Sequence, residues 1–177
     1  MSKIILLVLL LSFTFSNARG QIDKNLLKSA LVEKLIRYTI WPNKTQNEVK
    51  VIGIFGNSDF TDVFVHFISS TKYEGHYQIV NAKNYSDVTK ADVLMFDGNN
   101  KEELERILDK CEGLPVLLIS EKELCCSERM HYTIYTRIYD SGNQTEQLHF
   151  EINTADLSKS GLKPDIRLLN VGKIVKR

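Results

Sequence analysis

Very little in this sequence is arranged for covalent chemistry. Its four histidines, His66, His76, His131 and His149, fall on separate segments, and none sits with a carboxylate or thiolate at metal-ligand spacing. His131 and His149 could face each other across a hairpin, but two imidazoles without a nearby carboxylate or thiolate make a poor metal site, so satisfied or solvated histidines are expected. Ser58 and Ser120 lack a G-x-S-x-G frame. Asp59, Asp62, Asp92 and Asp97 stand near expected strand ends, where caps and turns account for them as well as acid/base work would. No residues emerge as catalytic, cofactor-binding or metal-binding, so no cofactor is expected and a non-enzymatic role follows. Charge of one sign is lacking too: 23 basic residues face 22 acidic ones. That balance leaves no electrostatic footprint for nucleic acid or an anionic membrane surface. Internal repeats, low-complexity segments and linkers are absent as well.

Long apolar runs are missing after the first twenty residues. Those twenty carry Lys3, an unbroken apolar run from Ile4 to Leu11, and small residues at Ala18 and Gly20. They read as a secretory signal peptide, residues 1–20, cut after Gly20 or alternatively after Ala18. The run is too short for a comfortable membrane anchor. Its removal takes Lys3 and Arg19 and leaves 21 basic and 22 acidic groups, a net charge of −1. A single domain, residues 21–177, remains, with no insertion of the mature chain into a bilayer.

Cysteine is scarce, and in an exported protein its number matters. Cys111, Cys125 and Cys126 allow at most one intramolecular bridge, from Cys111 to Cys125 or Cys126, since adjacent cysteines close a strained ring. One thiol is left over, either buried or reactive. Asn43, Asn84 and Asn143 are sequons that matter only in a eukaryotic secretory pathway.

What is present is a rhythm of strands and helices. Residues 22–38 show helical spacing, with Ile22, Leu26, Leu31 and Leu35 on the apolar side and Lys24, Lys28, Glu33 and Arg37 opposite. Trp41-Pro42 ends that helix. Val49 to Phe55 reads as a strand covered on both faces. A helix through Val63, Phe64, Phe67 and Ile68 follows. Strands are expected at 76–80, 91–96 and 115–119, with a helix at 101–110. The pattern predicts a three-layer α/β/α sandwich on a mainly parallel sheet. Gly53, Gly56, Asn57 and Ser58 form a strand-to-helix turn that could offer N–H groups to an anion, although the third glycine and the lysine of known phosphate loops are missing.

The last quarter is the most patterned. His131–Tyr139 and Gln147–Ile152 predict an antiparallel hairpin about Ser141-Gly142-Asn143. Asn153 is placed to cap a short helix, with Asp156 in capping-box position and Gly161 as its left-handed stop. After Pro164 a buried C-terminal helix is expected, polar only along Arg167, Asn170, Lys173 and Arg177.

In order along the chain, Tyr38-Thr39-Ile40-Trp41-Pro42, Val51–Gly56, Gly75, Asp92–Phe96, Pro115–Ser120, Phe150-Glu151-Ile152-Asn153, Gly161-Leu162 and Leu168-Leu169 resemble the motifs of the YfiR/HmsC-like family of periplasmic regulators. Two departures are visible. A Cys-His pair usual in the family is replaced by Ala91-Asp92, and a Gly-Gly stretch by Cys126-Ser127-Glu128-Arg129-Met130, so no disulfide pairing carries over from relatives. The resemblance implies an α/β fold and a regulator that binds the periplasmic part of an inner-membrane signalling protein. That protein would be a diguanylate cyclase of a cyclic-di-GMP pathway or a sensor kinase, and the regulator is often a homodimer. Two other readings stand beside it: a soluble binding protein with a small ligand at the Gly53–Ser58 turn, and a redox sensor using the cysteines.

Overall fold

A computed structural model describes residues 23–176, apart from 46–47, 57–58, 71–72, 74, 82–89, 98–100, 122–127 and 140–144. The expected signal peptide and Cys125, Cys126, Asn57 and Ser58 therefore lie outside the described residues.

Seven strands form one sheet: β2 (Lys50–Gly56), β3 (Tyr77–Asn81), β4 (Val93–Asp97), β5 (Leu117–Glu121), β6 (Tyr132–Tyr139), β7 (Thr145–Asn153) and β9 (Lys173–Val175). Their order is β3-β2-β4-β5-β6-β7-β9. The first five run parallel, β7 returns antiparallel to β6, and β9 lies parallel to β7. Helices α1 (Lys24–Arg37) and α2 (Asp59–Ser69) cover one face, and α3 (Lys101–Cys111) covers the other. The sandwich is the expected α/β architecture with its antiparallel hairpin.

The continuous apolar strands supply two cores at once, because successive side chains point to opposite faces. Ile52, Ile54, Val93, Met95, Leu117 and Ile119 join Leu35, Ile36, Phe60 and Phe64 under α1 and α2. Phe55, Leu94, Phe96 and Leu118 join Leu104, Ile107, Leu108 and Cys111 under α3. Leu104, Ile107, Leu108 and Cys111 recur at helical spacing, which is why α3 docks on that stripe.

The face of α1 departs from expectation. Leu26 is exposed, whereas Glu33 is 1% exposed beside Val32, Leu35 and Ile36. The helix is rotated because Glu33 finds partners inside: the Tyr77 hydroxyl donates to Glu33 Oε1 at 3.1 Å, and Arg37 Nε lies 3.2 Å from the same oxygen.

The C-terminal segment also departs. In place of a long buried helix the chain makes one turn, α5 (Ile166–Leu169), and then the edge strand β9. Asp165 caps the turn by accepting from Arg167 N–H at 2.9 Å. Leu168 is buried and Leu169 half-buried as a helix anchor requires, but Val171 and Ile174 are exposed. Gly172 and the β-branched Val171, Ile174 and Val175 favour extension, and the edge of β7 at Glu151–Asn153 gives the extended backbone its partners.

Between β7 and α5 the short helix α4 (Thr154–Lys159) behaves as its sequence predicts. Asn153 accepts from Asp156 N–H at the helix start. The reciprocal arm differs, because the Asn153 backbone N–H is already donated to His131 O at 3.0 Å. The Asp156 carboxylate instead accepts from the Asn153 side-chain amide at 2.8 Å. At the far end Gly161 adopts φ 70°. Gly161 N–H donates to Ser158 O at 3.0 Å and Leu162 N–H to Leu157 O at 2.9 Å, the bonding of a Schellman stop. Leu157 and Leu162 then bury together in the core under α1.

Candidate functional site

The motif residues far apart in sequence meet at the amino ends of the parallel strands. Two residues after α1, β1 (Thr39–Ile40) pairs antiparallel with β8 (Lys163–Pro164) in a separate two-stranded sheet. Asp165 N–H donates to Tyr38 O at 2.8 Å, which fixes the start of α5 against the end of α1. Pro42 Cγ lies 3.5 Å from where a Cβ on Gly161 would sit. Trp41 is buried and donates from Nε1 to Pro115 O at 3.1 Å, just before β5. Trp41 therefore ties the corner to the sheet and packs as expected.

Beneath this corner lies a polar layer. Lys50 Nζ sits 5.1 Å over the Trp41 ring and donates to Thr45 O and Glu48 O. Burial pushes its pKa down. Asp92 accepts from Val51 N–H at 2.8 Å and meets Lys44 Nζ at 2.6 Å, so its role is to hold β2 and β4 together. On the surface side, the Arg167 guanidinium stacks 4.0 Å over the Tyr38 ring and pairs with Asp165 at 2.7 Å. That pairing holds the Asp165 carboxyl down to about 2. The same stretch of chain exposes Ile40, Ile166 (64%), Val171 (73%) and Ile174.

Among the other motif residues, Phe150 packs edge-on to Tyr132 with ring centroids 6.4 Å apart. Glu151 is buried and accepts from Lys173 Nζ at 2.8 Å, an ion pair joining β7 to β9. The Tyr132 hydroxyl lies 3.0 Å from Thr39 Oγ1, which itself donates to Leu35 O at 2.7 Å. Thr39 therefore accepts from Tyr132, linking β1 to the main sheet.

Of the expected ligand turn only Gly53 and Gly56 are described, since Asn57 and Ser58 lie outside the described residues. Gly53 is buried mid-strand, opposite Val80 and Leu94. Gly56 ends β2 opposite Asp97 with φ 118°. Helix α2 then opens with Asp59 and Asp62, whose charges repel an anion at its amino end. A cavity of about 450 Å³ lies elsewhere, between the first turn of α1 and the hairpin, where Lys24, Lys28, Glu121, Ile134, Tyr135 and Leu148 are among its lining residues.

The histidines do not pair. His131 is buried: Nδ1 accepts from Leu118 N–H at 3.0 Å and Nε2 faces Ser160 Oγ at 3.1 Å. Burial lowers its pKa to about 4, with Asp156 acting against that fall. His149 lies opposite Tyr135 and stacks on it with ring centroids 5.6 Å apart. They do not face each other, because His131 precedes β6 and stands beside Asn153, and His131 is satisfied on both nitrogens. Among the described residues no three His, Cys, Asp or Glu side chains gather as a metal site. Cys111 carries a free buried thiol, and burial pushes its pKa up to about 11; Cys125 and Cys126, its possible bridge partners, lie outside the described residues. Cys111 borders a second cavity of about 280 Å³ with His131 and Ser160. Ser120 Oγ is buried with no hydrogen-bond partner among the described residues.

The model of the YfiR/HmsC-like family matches residues 25–173. The chain belongs to the YfiR/HmsC-like family. Among curated proteins none matches this sequence. The match runs from α1 to the start of β9, so it includes every element that builds the Trp41-Pro42 and Gly161-Leu162 corner. In this YfiR/HmsC-like domain, no helix among the described residues is long and apolar enough to cross a membrane.

Sequence reasoning missed the buried Glu33 and Lys50 and the half-buried Tyr77. Nothing local marks them: Tyr77 lies 44 residues beyond Glu33. The stack of Arg167 on Tyr38 was likewise hidden, although Tyr38 opens one motif and Arg167 directly precedes another.

Proposed function

We propose that this protein is a non-enzymatic periplasmic regulator, exported by residues 1–20, that binds the periplasmic part of an inner-membrane signalling protein. The partner is a diguanylate cyclase or a sensor kinase, and binding holds its output down. Family membership across residues 25–173 carries the reading. The rim of Ile40, Ile166, Val171 and Arg167 supports it, because these side chains offer apolar area around one stacked cation.

The test uses the mature chain as bait on detergent-solubilised membranes, beside the variant Ile166→Asp. Recovery of a cyclase or kinase by the parent chain, and its loss with the variant, is the expected outcome. Recovery of no membrane signalling protein by the parent removes the reading.

A second reading takes the protein as a small-molecule binder and draws on the 450 Å³ cavity, which mixes lysines with Ile134, Tyr135 and Leu148. A melting shift with a panel of amphipathic carboxylates, abolished by Lys28→Ala, supports that reading. A panel without effect removes it.

A further inference from the structure

Alternation along β6 and β7 gives the hairpin two unlike faces. Ile134 and its register partner Phe150 join the core under α1 and α2, so Tyr135, Arg137 and Tyr139 on β6 share the other face with Gln147 and His149 on β7. That is the face of the sheet on which α3 lies, yet the core under α3 draws on β2, β4 and β5 and on neither hairpin strand. Arg137, Tyr139 and Gln147 are exposed, and Tyr135 and His149 half-buried. Their flat groups form one stack. The Arg137 guanidinium lies 5.4 Å over the Tyr135 ring, and Tyr135 stacks on His149 at 5.6 Å with 24° between the planes. Tyr139 stands 6.0 Å from His149, with its hydroxyl 3.3 Å from Nε2. Among the described residues no carboxylate pairs with Arg137, and Glu151, the acid of β7 on this face, is held by Lys173.

We propose that this face binds an acidic glycan strand, with pyranose rings laid on the Tyr135, His149 and Tyr139 stack and a ring carboxylate on the Arg137 guanidinium. The negative face of an aromatic ring attracts the C–H groups of a sugar ring. At the edges, the Tyr139 hydroxyl, the Gln147 amide and the His149 ring offer donors and acceptors to sugar hydroxyls. Charge complementarity calls for an anion, because a guanidinium without an acidic partner presents a fork that a carboxylate fits bidentately. Tyr135 and Tyr139 are four residues apart, about 13 Å along the strand, which a chain of rings spans and a single ring does not. A shallow platform also suits a polymer that repeats weak contacts, whereas a small molecule needs a concave pocket. Single-stranded nucleic acid stacks on aromatic sheet faces too, but it needs a row of cations along its phosphates, and Arg137 stands alone here.

Titration calorimetry of the mature chain tests this with hexagalacturonate, beside the neutral hexamer cellohexaose and monomeric galacturonate. Hexagalacturonate is expected to bind at roughly 0.1 mM, and the other two about tenfold more weakly. Arg137→Gln should cut the affinity for hexagalacturonate about tenfold and remove most of its dependence on salt, while leaving cellohexaose unchanged. Tyr139→Ala should weaken both hexamers. Both side chains are exposed, so each variant is expected to keep the parent's circular dichroism. No binding of hexagalacturonate at millimolar concentration overturns the proposal. So does binding that survives both substitutions, which would be charge attraction elsewhere on the surface. Loss of membrane-protein capture with Tyr139→Ala, in a chain that binds no hexagalacturonate, makes the face a protein contact and overturns it as well.

Discussion

His131 is the residue whose environment most constrains its charge. Its Nδ1 accepts a backbone N–H and its other nitrogen faces a hydroxyl, so the neutral ring is satisfied and a proton is not. The folded pKa of about 4 lies below the ordinary 6.5. Between those values the unfolded chain binds a proton that the folded chain refuses. Stability is therefore full above pH 6.5, falls as pH drops toward 4, and levels off below that. The loss amounts to roughly 3 kcal/mol at most. Urea denaturation at pH 7 and pH 4.5 measures it. His131→Asn keeps an acceptor for Leu118 N–H, and it is expected to flatten this pH dependence while lowering stability at pH 7. At Cys111 the same physics acts on a thiol: burial raises its pKa to about 11, so it stays protonated and unreactive at neutral pH. A maleimide should label Cys111 only when the chain unfolds, and mass spectrometry of the labelled peptide reads the result.

Among the elements, two glycines set where segments stop and dock. Gly161 holds the left-handed backbone of the α4 stop, and its Cβ position has ordinary room against Pro42. Gly161→Ala therefore costs only the backbone strain, about 1 kcal/mol. Gly172→Ala places a methyl group against the Phe150 ring and Ile152, and is expected to cost about 1–3 kcal/mol and to loosen β9. Paired thermal melts should rank Gly172→Ala below Gly161→Ala. These contrasts also mark what the sequence could say. Strands β2, β4 and β5 were legible because a parallel strand covered on both faces is apolar throughout. The α4 cap and its stop were legible because Asn153, Asp156 and Gly161 act within a few residues of one another. The tail was not, since Leu168 and Leu169 begin a helical pattern that only the distant edge of β7 converts to a strand. Glu33 was misread for a related reason. A carboxylate on a helix looks solvated until Tyr77 and Arg37 are placed beside it.

Across the whole molecule, the two ends of the sheet differ. At the carboxyl end of β2 the first turn of α2 carries Asp59 and Asp62, whereas the amino ends carry the corner built by the family motifs and its exposed rim. Arg167 joins both halves of that rim by stacking on Tyr38. Arg167→Ala should cut partner binding by tenfold or more, as expected for an arginine at the centre of an interface. Its melting temperature should change little, because the side chain is half exposed. Binding titrations and melts on the same preparation separate the two effects.

The small sheet of β1 and β8 has a consequence for biogenesis. Thr39 pairs with Pro164, far along the chain, so their ladder cannot close until both segments have been made. Local α/β units can collapse as they emerge, but the corner must wait for the final residues and then pays the entropy of a very large loop. A truncation before Lys163 therefore leaves a body without its latch. The rim around Arg167 is therefore the last part of the fold to form.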